Sequence, residues 1–353
     1  MSSLLTTSIP NNSTKKILNK LLQSQDLERE EMRFILKKIM LGEISNVQVT
    51  AILIALRLKG ESVDELIGAT QVMRDLVDSV NLNDEDIIDL CGTGGDGGNT
   101  FNISTSAMFV AASAGAKIAK HGGRGVSSVT GSADLLEALG ANINLKSSDV
   151  IKSIDEIGVG FMFAPNHHPS MKNVAPIRKE LGTRTIFNVL GPLTNPARAK
   201  KQLIGVFNKN LLEPIVNVLK ELNSKHVLVV HAENGLDEIS LSGKTFYAEL
   251  NSGKITQGVL TAEKFGLSNN QYEFSMDSIK VKNIEQSKKM IMQSLTDTKS
   301  YAAKIVALNA GAAIYIAGIV ENLSDGFSMA LSEIESGRAK KNLDNFIEFT
   351  NSI

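Results

Sequence analysis

The sequence predicts an α/β protein in which a small N-terminal helical domain accompanies a large domain with a mostly parallel sheet flanked by helices. Residues 13–80 carry apolar residues at helical spacing throughout and show no convincing strand. From residue 86 onwards, short apolar strands alternate with helices, a pattern typical of right-handed crossovers in a parallel sheet. A chain of 353 residues is also long enough for one large domain and a smaller one.

Four helices are expected in the N-terminal part. Apolar residues three and four positions apart mark the first two: Ile17, Leu18, Leu21, Leu22, Met32, Ile35, Leu36 and Ile39. A third helix over residues 47–58 is closed by Gly60. Ser62 and Glu65 form a capping-box pattern, which predicts the start of a fourth helix that continues to Val80.

Six strands are expected after residue 86, at 87–90, 116–119, 141–145, 161–163, 203–207 and 227–230. Residues 169–196 interrupt the alternation with a helix over 170–181 and an extended linker over 191–196, and we expect this segment to pack back on the helical domain. Amphipathic helices are expected at 284–295, 300–319 and 327–347. The predicted domains are therefore 1–80 joined by the inserted segment 169–196, and an α/β domain of 81–168 and 197–353.

The stretch from Asp89 to Ala107 places five glycines in a turn between a buried strand and an Ala/Ser-rich helix over 104–116. Glycine lets the backbone approach a ligand closely, and a helix N-terminus adds unpaired N–H groups and a partial positive charge. Polar side chains suited to a ligand lie within ten positions: Asp96, Thr100, Asn102, Ser104 and Thr105. These features favour phosphate binding over a surface turn without a ligand.

Residues 92–97 also satisfy the G-x-G-x-x-G pattern of dinucleotide-binding folds. That interpretation is rejected for two reasons. Thr100, Phe101 and Asn102 separate the glycines from the helix, whereas a dinucleotide-binding helix begins within the glycines. The region where an acidic residue should hold the ribose contains Lys117 and Lys120 instead.

A second glycine-rich segment runs from Lys120 to Asp134, before a predicted helix over 133–139. It offers hydroxyl groups at Ser127, Ser128 and Ser132. Lys120 and Arg124 supply two positive charges that suit a polyanion. The alternative is a mobile basic loop without a ligand.

Asp237 and Glu238 lie on a turn after the strand 227–230. Adjacent carboxylates on a turn usually face water. In a chain with two loops suited to phosphate they become candidate magnesium ligands, because Mg²⁺ binds through a few carboxylates together with substrate phosphates. His121, His167 and His168 lack partners at a recognisable zinc spacing, so no zinc site is predicted.

The bulk composition excludes several classes of protein. With 37 basic and 38 acidic residues, the chain has no general attraction for nucleic acid or anionic membranes. Its single cysteine, Cys91, excludes an intrachain disulfide framework and suits a reducing, cytoplasmic location, with a structural role expected at a buried strand end. Residues 1–10 do not have the pattern of a signal peptide, and the apolar run 305–319 is too short for a membrane span.

Several segments of the chain resemble the anthranilate phosphoribosyltransferases, enzymes of tryptophan biosynthesis that join anthranilate to phosphoribosyl pyrophosphate. The family's main diphosphate signature is similar to Gly92-Thr-Gly-Gly-Asp96 with Thr100-Phe-Asn-Ile-Ser-Thr105, and its second loop is similar to Lys120-His-Gly through Gly131-Ser-Ala-Asp134. The segment that closes over the acceptor is similar to residues 166–196, which include Arg184-Thr-Ile-Phe-Asn-Val-Leu-Gly-Pro-Leu-Thr-Asn-Pro196. Its metal motif is similar to Gly235-Leu-Asp-Glu238. The resemblance covers nearly the whole chain.

The resemblance implies a set of site residues. Those implied to hold phosphoribosyl pyrophosphate are Gly92, Gly95, Asp96, Thr100, Asn102, Ile103, Ser104, Thr105, Lys120, His121, Gly122, Gly123, Arg124, Gly125, Val126, Ser127, Ser128 and Ser132. Those implied to line the anthranilate site are Gly92, Gly123 and Arg178, and those implied to serve two Mg²⁺ ions are Ser104, Asp237 and Glu238. No residue is implied to act as a dedicated acid or base. The resemblance also implies a homodimer formed through the helical domain, and a fold shared with pyrimidine nucleoside phosphorylases.

One position departs from the family pattern. The family usually has Asn where this chain has Gly123, and that Asn contacts the acceptor. The donor is therefore better supported than the identity of the acceptor. Two other functions are alternatives. Lys120-x-Gly-Gly-Arg124 partly resembles the phosphate and base motif of pyrimidine nucleoside phosphorylases, although those enzymes do not need paired metal carboxylates. A non-catalytic relative that binds nucleic acid would have a basic surface, which a formal net charge of −1 disfavours.

Overall fold

The computed structural model describes residues 13–82, 84–95, 97–125, 129–267 and 275–353. The chain divides into two compact units. Unit 1 contains Met1–Leu76 and Ser170–Leu190, and unit 2 contains Val77–Pro169 and Gly191–Ile353.

The secondary structure is mixed helix and strand, as predicted. The helices of the described residues are α1 (Thr14–Leu22), α2 (Arg29–Leu41), α3 (Asn46–Lys59), α4 (Val63–Asp75), α5 (Ile103–Ser113), α6 (Ser132–Ala138), α7 (Ser147–Ile157), α8 (Ala164–His167), α9 (Ala175–Leu181), α10 (Ile186–Leu190), α11 (Leu212–Glu221), α12 (Ile284–Thr296), α13 (Tyr301–Ala317), α14 (Leu323–Glu335) and α15 (Arg338–Ser352). The strands are β1 (Ile88–Gly92), β2 (Ile118–Gly122), β3 (Val159–Phe163), β4 (Lys201–Gly205), β5 (His226–Ala232), β6 (Thr245–Asn251) and β7 (Lys254–Leu260).

Local capping determines where the helices of unit 1 begin. The predicted capping box is present at the start of α4, where Ser62 and Glu65 bond each other's backbone N–H groups. Helix α4 ends at Asp75 rather than continuing to Val80. The reason lies in the residues that follow. The N–H groups of Asp78 and Val80 donate to the carbonyl oxygens of His167 and Pro196, so they cannot extend the helix.

Two predicted helices are each broken in two. The helix expected over 170–181 is a 3₁₀ turn, Pro169–Asn173, followed by α9. Pro176 lies in the first turn of α9, which is the part of a helix that tolerates a residue without an N–H group. The helix expected over 327–347 is α14 and α15, separated at Gly337, whose φ of 75° is left-handed and ends a helical path. The linker expected over 191–196 begins with another 3₁₀ turn, Gly191–Leu193.

Unit 2 is built on a seven-stranded sheet with the order β3-β2-β1-β4-β5-β6-β7. The first five strands in this order are parallel, which confirms the predicted mostly parallel sheet. Strand β6 pairs antiparallel with β5, and β7 pairs antiparallel with β6. Both strands are absent from the sequence-based prediction. Ser252 and Gly253 connect them with φ values of 51° and 81°, the left-handed pair that a tight hairpin turn requires.

Residues 141–145 do not form the predicted strand. The N–H of Asn142 donates to Thr350 Oγ1 on α15 at 3.1 Å, and the N–H of Asn144 donates to Asn142 Oδ1 at 3.0 Å. These bonds occupy groups that a strand would use for a neighbouring strand. The alternating burial of Ala141, Ile143 and Leu145, which resembles a strand in the sequence, instead reflects packing of an irregular segment.

A large apolar core cluster of unit 2 joins α5 and α13 to the strands of the sheet. Both helices are apolar on nearly all sides, and most of their residues are fully buried. Phe109 of α5 also packs edge-on against Phe346 of α15, with 5.7 Å between the ring centroids. Most of the apolar run 305–319 thus belongs to the buried helix α13, which ends at Ala317. Among the described residues, no single helix is long and apolar enough to cross a membrane.

Candidate functional site

The polar loops of unit 2 follow the carboxyl ends of the parallel strands. Gly92 at the end of β1 is in register with Gly205 at the end of β4, and Gly122 at the end of β2 is in register with Phe163 of β3. The loops after β1, β2, β4 and β5 therefore start from one edge of the sheet, the edge where open α/β sheets bind ligands.

The loop after β1 uses glycine for its conformation. Gly94, Gly95 and Gly97 have φ values of 63°, 74° and 72°, which other residues adopt only with strain. Phe101 anchors the far side of the loop, because its side chain is buried and its N–H donates to Ile279 O at 3.0 Å. Helix α5 begins only at Ile103, so Thr100, Phe101 and Asn102 lie between the glycines and the helix, as predicted from the sequence.

Asn102 joins the first loop to the second. Its Nδ2 donates to the Thr130 carbonyl oxygen at 3.1 Å, and its Oδ1 accepts from Thr130 Oγ1 at 2.9 Å. The hydroxyl of Ser287 on α12 donates to the same Oδ1 at 3.0 Å. The side chain of Asn102 is thus bonded within the protein, where it holds two glycine-rich segments together.

The carboxylate of Asp237 lies against the first loop. Its Oδ2 accepts a hydrogen bond from the Gly94 N–H at 2.8 Å. A Cβ at Gly92 would overlap this carboxylate, and a Cβ at Gly205 would overlap the Asp237 carbonyl oxygen. Both strand-end glycines are therefore required by the close approach of the loop after β5. Asp237 and the half-buried Glu238 stand at the same edge as the first loop.

Lys120 lies beneath the first loop with 3 % of its surface exposed. Its Nζ donates to Ser104 Oγ at 3.1 Å and to the Leu90 carbonyl oxygen. The neighbouring Asp89 is fully buried and accepts from the His121 N–H at 3.2 Å. Burial raises the pKa of Asp89, and the charge of Lys120 opposes that shift. Lys120 is thus a buried cation directed at the start of α5.

Arg124 is engaged by carboxylates rather than left open to a ligand. Its NH1 group lies 3.0 Å from Asp134 Oδ1 and 2.8 Å from Glu137 Oε2, both on α6. Its Cζ lies 5.5 Å from the ring centroid of Phe163. Of the two cations that the sequence analysis assigns to a polyanion, the structure therefore gives Arg124 acidic partners of its own.

Asp134 closes the second loop, a role that sequence reasoning missed. Its Oδ2 accepts from the N–H groups of Gly125 and Gly131 at 2.8 and 2.9 Å. One carboxylate thereby holds two positions of the loop at once. The signal in the sequence is the spacing Gly131-x-x-Asp134, in which the carboxylate at the third position of α6 accepts from the backbone N–H of the residue before the helix.

Three histidines cluster beside β2. The rings of His121 and His168 lie 5.0 Å apart, and His167 Nδ1 lies 2.8 Å from the Asp78 carbonyl oxygen. Burial lowers the pKa of His168 to about 4 and holds the pKa of His121 well below its usual value. Within the described ranges, no group of three or more His, Cys, Asp or Glu side chains is arranged to hold a metal ion.

Cys91 has the environment of a structural thiol. Burial raises its pKa well above the usual value, and the adjacent Asp89 carboxylate adds to that shift. A raised pKa disfavours the thiolate, which is the reactive form.

Several of the other predicted site residues have distinct surroundings. Ile103 is a core residue, and the buried hydroxyl of Thr105 has no hydrogen-bond partner among the described residues. Gly123 has open space, because a Cβ there would meet only Ala164 Cβ at 3.9 Å. Four of the predicted residues lie outside the described residues: Asp96, Val126, Ser127 and Ser128.

Arg178, the predicted acceptor residue of unit 1, lies on α9. Its Cζ is 5.4 Å from the ring centroid of Phe187. Burial lowers its pKa from the usual arginine value. The guanidinium is thus stacked on an aromatic ring and partly removed from water.

Known protein families match both parts of the chain. The family described as "Glycosyl transferase family, a/b domain" matches residues 84–340, and "Glycosyl transferase family, helical bundle domain" matches residues 15–77. Two relatives named anthranilate phosphoribosyltransferase come from Hydrogenovibrio crunogenus and Polynucleobacter asymbioticus. The first is 48% identical over 95% of this chain and 98% of its own, and the second is 49% identical over 96% and 98%.

Solved structures agree with the sequence relatives. The anthranilate phosphoribosyltransferase of Thermus thermophilus superposes with a TM-score of 0.87 at 37% identity, covering 95% of this chain and 99% of its own. The Saccharomyces cerevisiae enzyme in complex with PRPP and Mg superposes with a TM-score of 0.86 at 29% identity, covering 98% and 99%. The same yeast enzyme has also been solved in complex with 4-fluoroanthranilate. This chain belongs to the anthranilate phosphoribosyltransferase family.

Proposed function

We propose that the loops at the carboxyl edge of the unit 2 sheet bind phosphoribosyl pyrophosphate, so that the chain performs the reaction of its family. This reaction transfers the phosphoribosyl group to the amine of anthranilate and releases pyrophosphate. The observation that carries the proposal is the bond between Gly94 N–H and the Asp237 carboxylate, because it brings a glycine-rich anion loop and a carboxylate pair to one place. Relatives at 47–49% identity are named for this activity, which disfavours the nucleoside phosphorylase and nucleic-acid-binding alternatives.

The donor-binding proposal rests on the chemistry of the two loops. The φ values of Gly94, Gly95 and Gly97 let the first loop bring its backbone close to a phosphate. Lys120 is a buried cation beneath that loop. Arg124 serves in this proposal through its backbone and by shaping the loop, since its guanidinium pairs with Asp134 and Glu137.

Asp237, Glu238 and Ser104 are proposed to hold two Mg²⁺ ions together with the donor. Carboxylate and hydroxyl oxygens are the ligands that Mg²⁺ prefers, and it is usually held by one or two carboxylates plus substrate phosphates rather than by a full protein cage. Both carboxylates are only half buried, on a loop pinned to the sheet edge, and this placement fits such a role. When bound, the ions would neutralise charge on the leaving pyrophosphate.

The protein's own contribution is positioning and electrostatics. The amine of anthranilate is neutral at pH 7, so the attack on C1 of the ribose needs no strong base. Departure of a highly charged group needs fixed positive charge and N–H donors, which Lys120 and the glycine loop supply. Gly92, Gly123 and Arg178 are proposed for the acceptor. A guanidinium group suits the carboxylate of anthranilate. The ring of Phe187 holds the guanidinium group of Arg178 in place.

A homodimer formed through the helical part of the chain is also proposed. Helix α3 carries an apolar stripe at positions i, i+4, i+7 and i+11, made of Val47, Ala51, Ile54 and Leu58. Val47 and Leu58 are 79% and 83% exposed, and Leu22 on α1 is 67% exposed. Large apolar side chains at helical spacing favour a protein partner over water, and a second copy of this chain is the partner we propose. We also propose a cytoplasmic location, where reducing conditions suit Cys91.

The domain division that we propose remains 1–80 with the inserted segment 169–196, and 81–168 with 197–353. It is supported by the two compact units, in which Ser170–Leu190 groups with Met1–Leu76.

The function is tested by mixing the purified protein with anthranilate, phosphoribosyl pyrophosphate and Mg²⁺ and following the loss of anthranilate fluorescence. We expect turnover only when all three are present. The combined variant Asp237→Asn with Glu238→Gln should retain its fold, lose most turnover and need more Mg²⁺, because both removed charges act through the metal. Phosphorolysis of thymidine or uridine without any reaction of anthranilate would refute the proposal.

A further inference from the structure

We propose that Asn309 on α13 is a positioning residue that holds the loop of Asp237 and Glu238 in its metal-binding place. This inference rests on the proposed function, because it assumes that these two carboxylates bind Mg²⁺. Asn309 acts through Ile239, the next residue in the chain after Glu238.

Asn309 is fully buried and makes three hydrogen bonds. Its Oδ1 accepts from the Ile239 N–H at 2.9 Å, and its Nδ2 donates to the Ile239 carbonyl oxygen at 3.0 Å. The other N–H of Nδ2 donates to the Ile305 carbonyl oxygen, one turn earlier in α13, at 2.9 Å. Both N–H donors of the amide are therefore used. The pair of bonds to Ile239 resembles the pairing between two strands, but it joins a helix side chain to a loop.

This pair of bonds, the clamp of Asn309 on Ile239, holds the loop at a second place, two residues after the contacts of Asp237 with the strand-end glycines. Gly92 and Gly205 leave room for the side chain and backbone of Asp237 on the sheet. Leu236 and Ile239, which flank the two carboxylates, are each 1% exposed. Asp237 and Glu238 thus lie between two buried residues, and Asn309 determines the position of Ile239.

The expected consequence of removing the amide follows from the cost of unpaired buried groups. Without Asn309, the N–H and C=O of Ile239 lose their partners in a region closed to water. The loop can recover these bonds only by moving towards solvent, and Glu238 would move with it. A metal site depends on ligand placement, so metal affinity should fall more than affinity for anthranilate.

The experiment compares purified full-length variants by Mn²⁺ binding in the presence of inorganic pyrophosphate, followed by electron paramagnetic resonance. Asn309→Ala is the main variant. Asn309→Ser is the second, because its hydroxyl can still bond the Ile305 carbonyl within the helix and spares the fold. We expect both to raise the Kd for Mn²⁺ by about tenfold while the KM for anthranilate stays within about twofold of wild type.

Thr350→Val is the matched control. Thr350 is also a fully buried helix side chain that holds a loop backbone, through its bond from the Asn142 N–H. The Thr350→Val variant should be less stable than wild type but should bind Mn²⁺ with wild-type affinity. Equal loss of Mn²⁺ binding in this control and in Asn309→Ala would overturn the inference, because it would indicate a general effect of destabilisation.

The variant Asp237→Asn with Glu238→Gln separates the two proposals. If it loses Mn²⁺ binding and a folded Asn309→Ala or Asn309→Ser variant does not, the positioning role of Asn309 is wrong and the metal role of the carboxylates stands. If the double carboxylate variant binds Mn²⁺ as tightly as wild type, the metal role fails, and the inference about Asn309 fails with it.

Discussion

The carboxylate of Asp237 accepts a hydrogen bond from the backbone N–H of Gly94 at 2.8 Å, although the two residues are 143 positions apart. The backbone of Asp237 also lies over Gly205, where a Cβ would overlap its carbonyl oxygen. The loop after β5 is therefore seated on the ends of β1 and β4, and its position depends on the absence of side chains beneath it.

Gly205→Ala should displace this loop. We expect the Mg²⁺ concentration for half-maximal activity to rise by about tenfold, and the free energy of unfolding to fall by roughly 1–3 kcal/mol from overpacking. The control is Gly160→Ala in β3, where a Cβ would meet Ile154 Cγ1 at 2.6 Å. It should lose similar stability without a change in Mg²⁺ requirement. An equal change in Mg²⁺ requirement in both variants would contradict the assignment.

Gly123→Asn should strengthen acceptor binding. The site has room, since the nearest atom to a Cβ at Gly123 is Ala164 Cβ at 3.9 Å. One additional hydrogen bond is worth on the order of 1 kcal/mol, so the KM for anthranilate should fall several-fold while the KM for the donor changes little. Specificity constants on anthranilate and ring-substituted anthranilates provide the measurement. A wild-type preference for a substituted ring that Gly123→Asn abolishes would show that anthranilate is not the preferred acceptor.

Arg178→Ala should raise the KM for anthranilate far more than the KM for phosphoribosyl pyrophosphate. A guanidinium binds a carboxylate with two parallel hydrogen bonds, and alanine offers none. Steady-state kinetics with each substrate varied in turn gives both constants. The exposed neighbour Lys179 supplies the control, and Lys179→Ala should change neither constant. Equal increases for both substrates in Arg178→Ala would place Arg178 outside the acceptor site.

Leu58→Glu should convert the proposed dimer to monomers. It places a charge in the middle of an apolar contact, where desolvation of the carboxylate has no compensation. Leu41→Glu is the matched control, because Leu41 is an exposed leucine at the end of α2 and lies outside the α3 stripe. Sedimentation velocity should give a dimer for wild type and Leu41→Glu, and a monomer for Leu58→Glu. A monomeric wild type at micromolar concentration would contradict the dimer.

The free energy of unfolding should fall as pH decreases from 7 to 5, partly through His168. Burial lowers the pKa of His168 to about 4 in the folded chain, whereas an unfolded histidine titrates near 6.5. Between these values the unfolded chain binds a proton that the folded chain does not, so acid favours unfolding. His168 alone should contribute a loss of about 2 kcal/mol over this interval. Urea unfolding at several pH values gives the free energy of unfolding as a function of pH. This free energy should depend less steeply on pH in His168→Gln than in wild type, and an equally steep dependence would contradict the assignment.

The sequence by itself determined those features that depend on neighbouring residues. The capping pair Ser62 and Glu65 starts α4 because a side chain three positions away reaches the unpaired N–H groups of the first turn. Thr100, Phe101 and Asn102 lie between the glycines and α5, as predicted. The alternation of strands and helices determined the mostly parallel sheet, and the glycine, lysine and carboxylate motifs indicated the family.

Only the tertiary structure decided which of these features meet. The bond from Gly94 to Asp237, the pairing of Arg124 with Asp134 and Glu137, and the clamp of Asn309 on Ile239 join segments that no local spacing relates. The segment 141–145 has the alternation of a strand, yet Thr350 takes the N–H group that strand pairing would need. Local patterns indicate which conformations one stretch of backbone can adopt. The packing of the whole unit determines which distant groups become its hydrogen-bond partners.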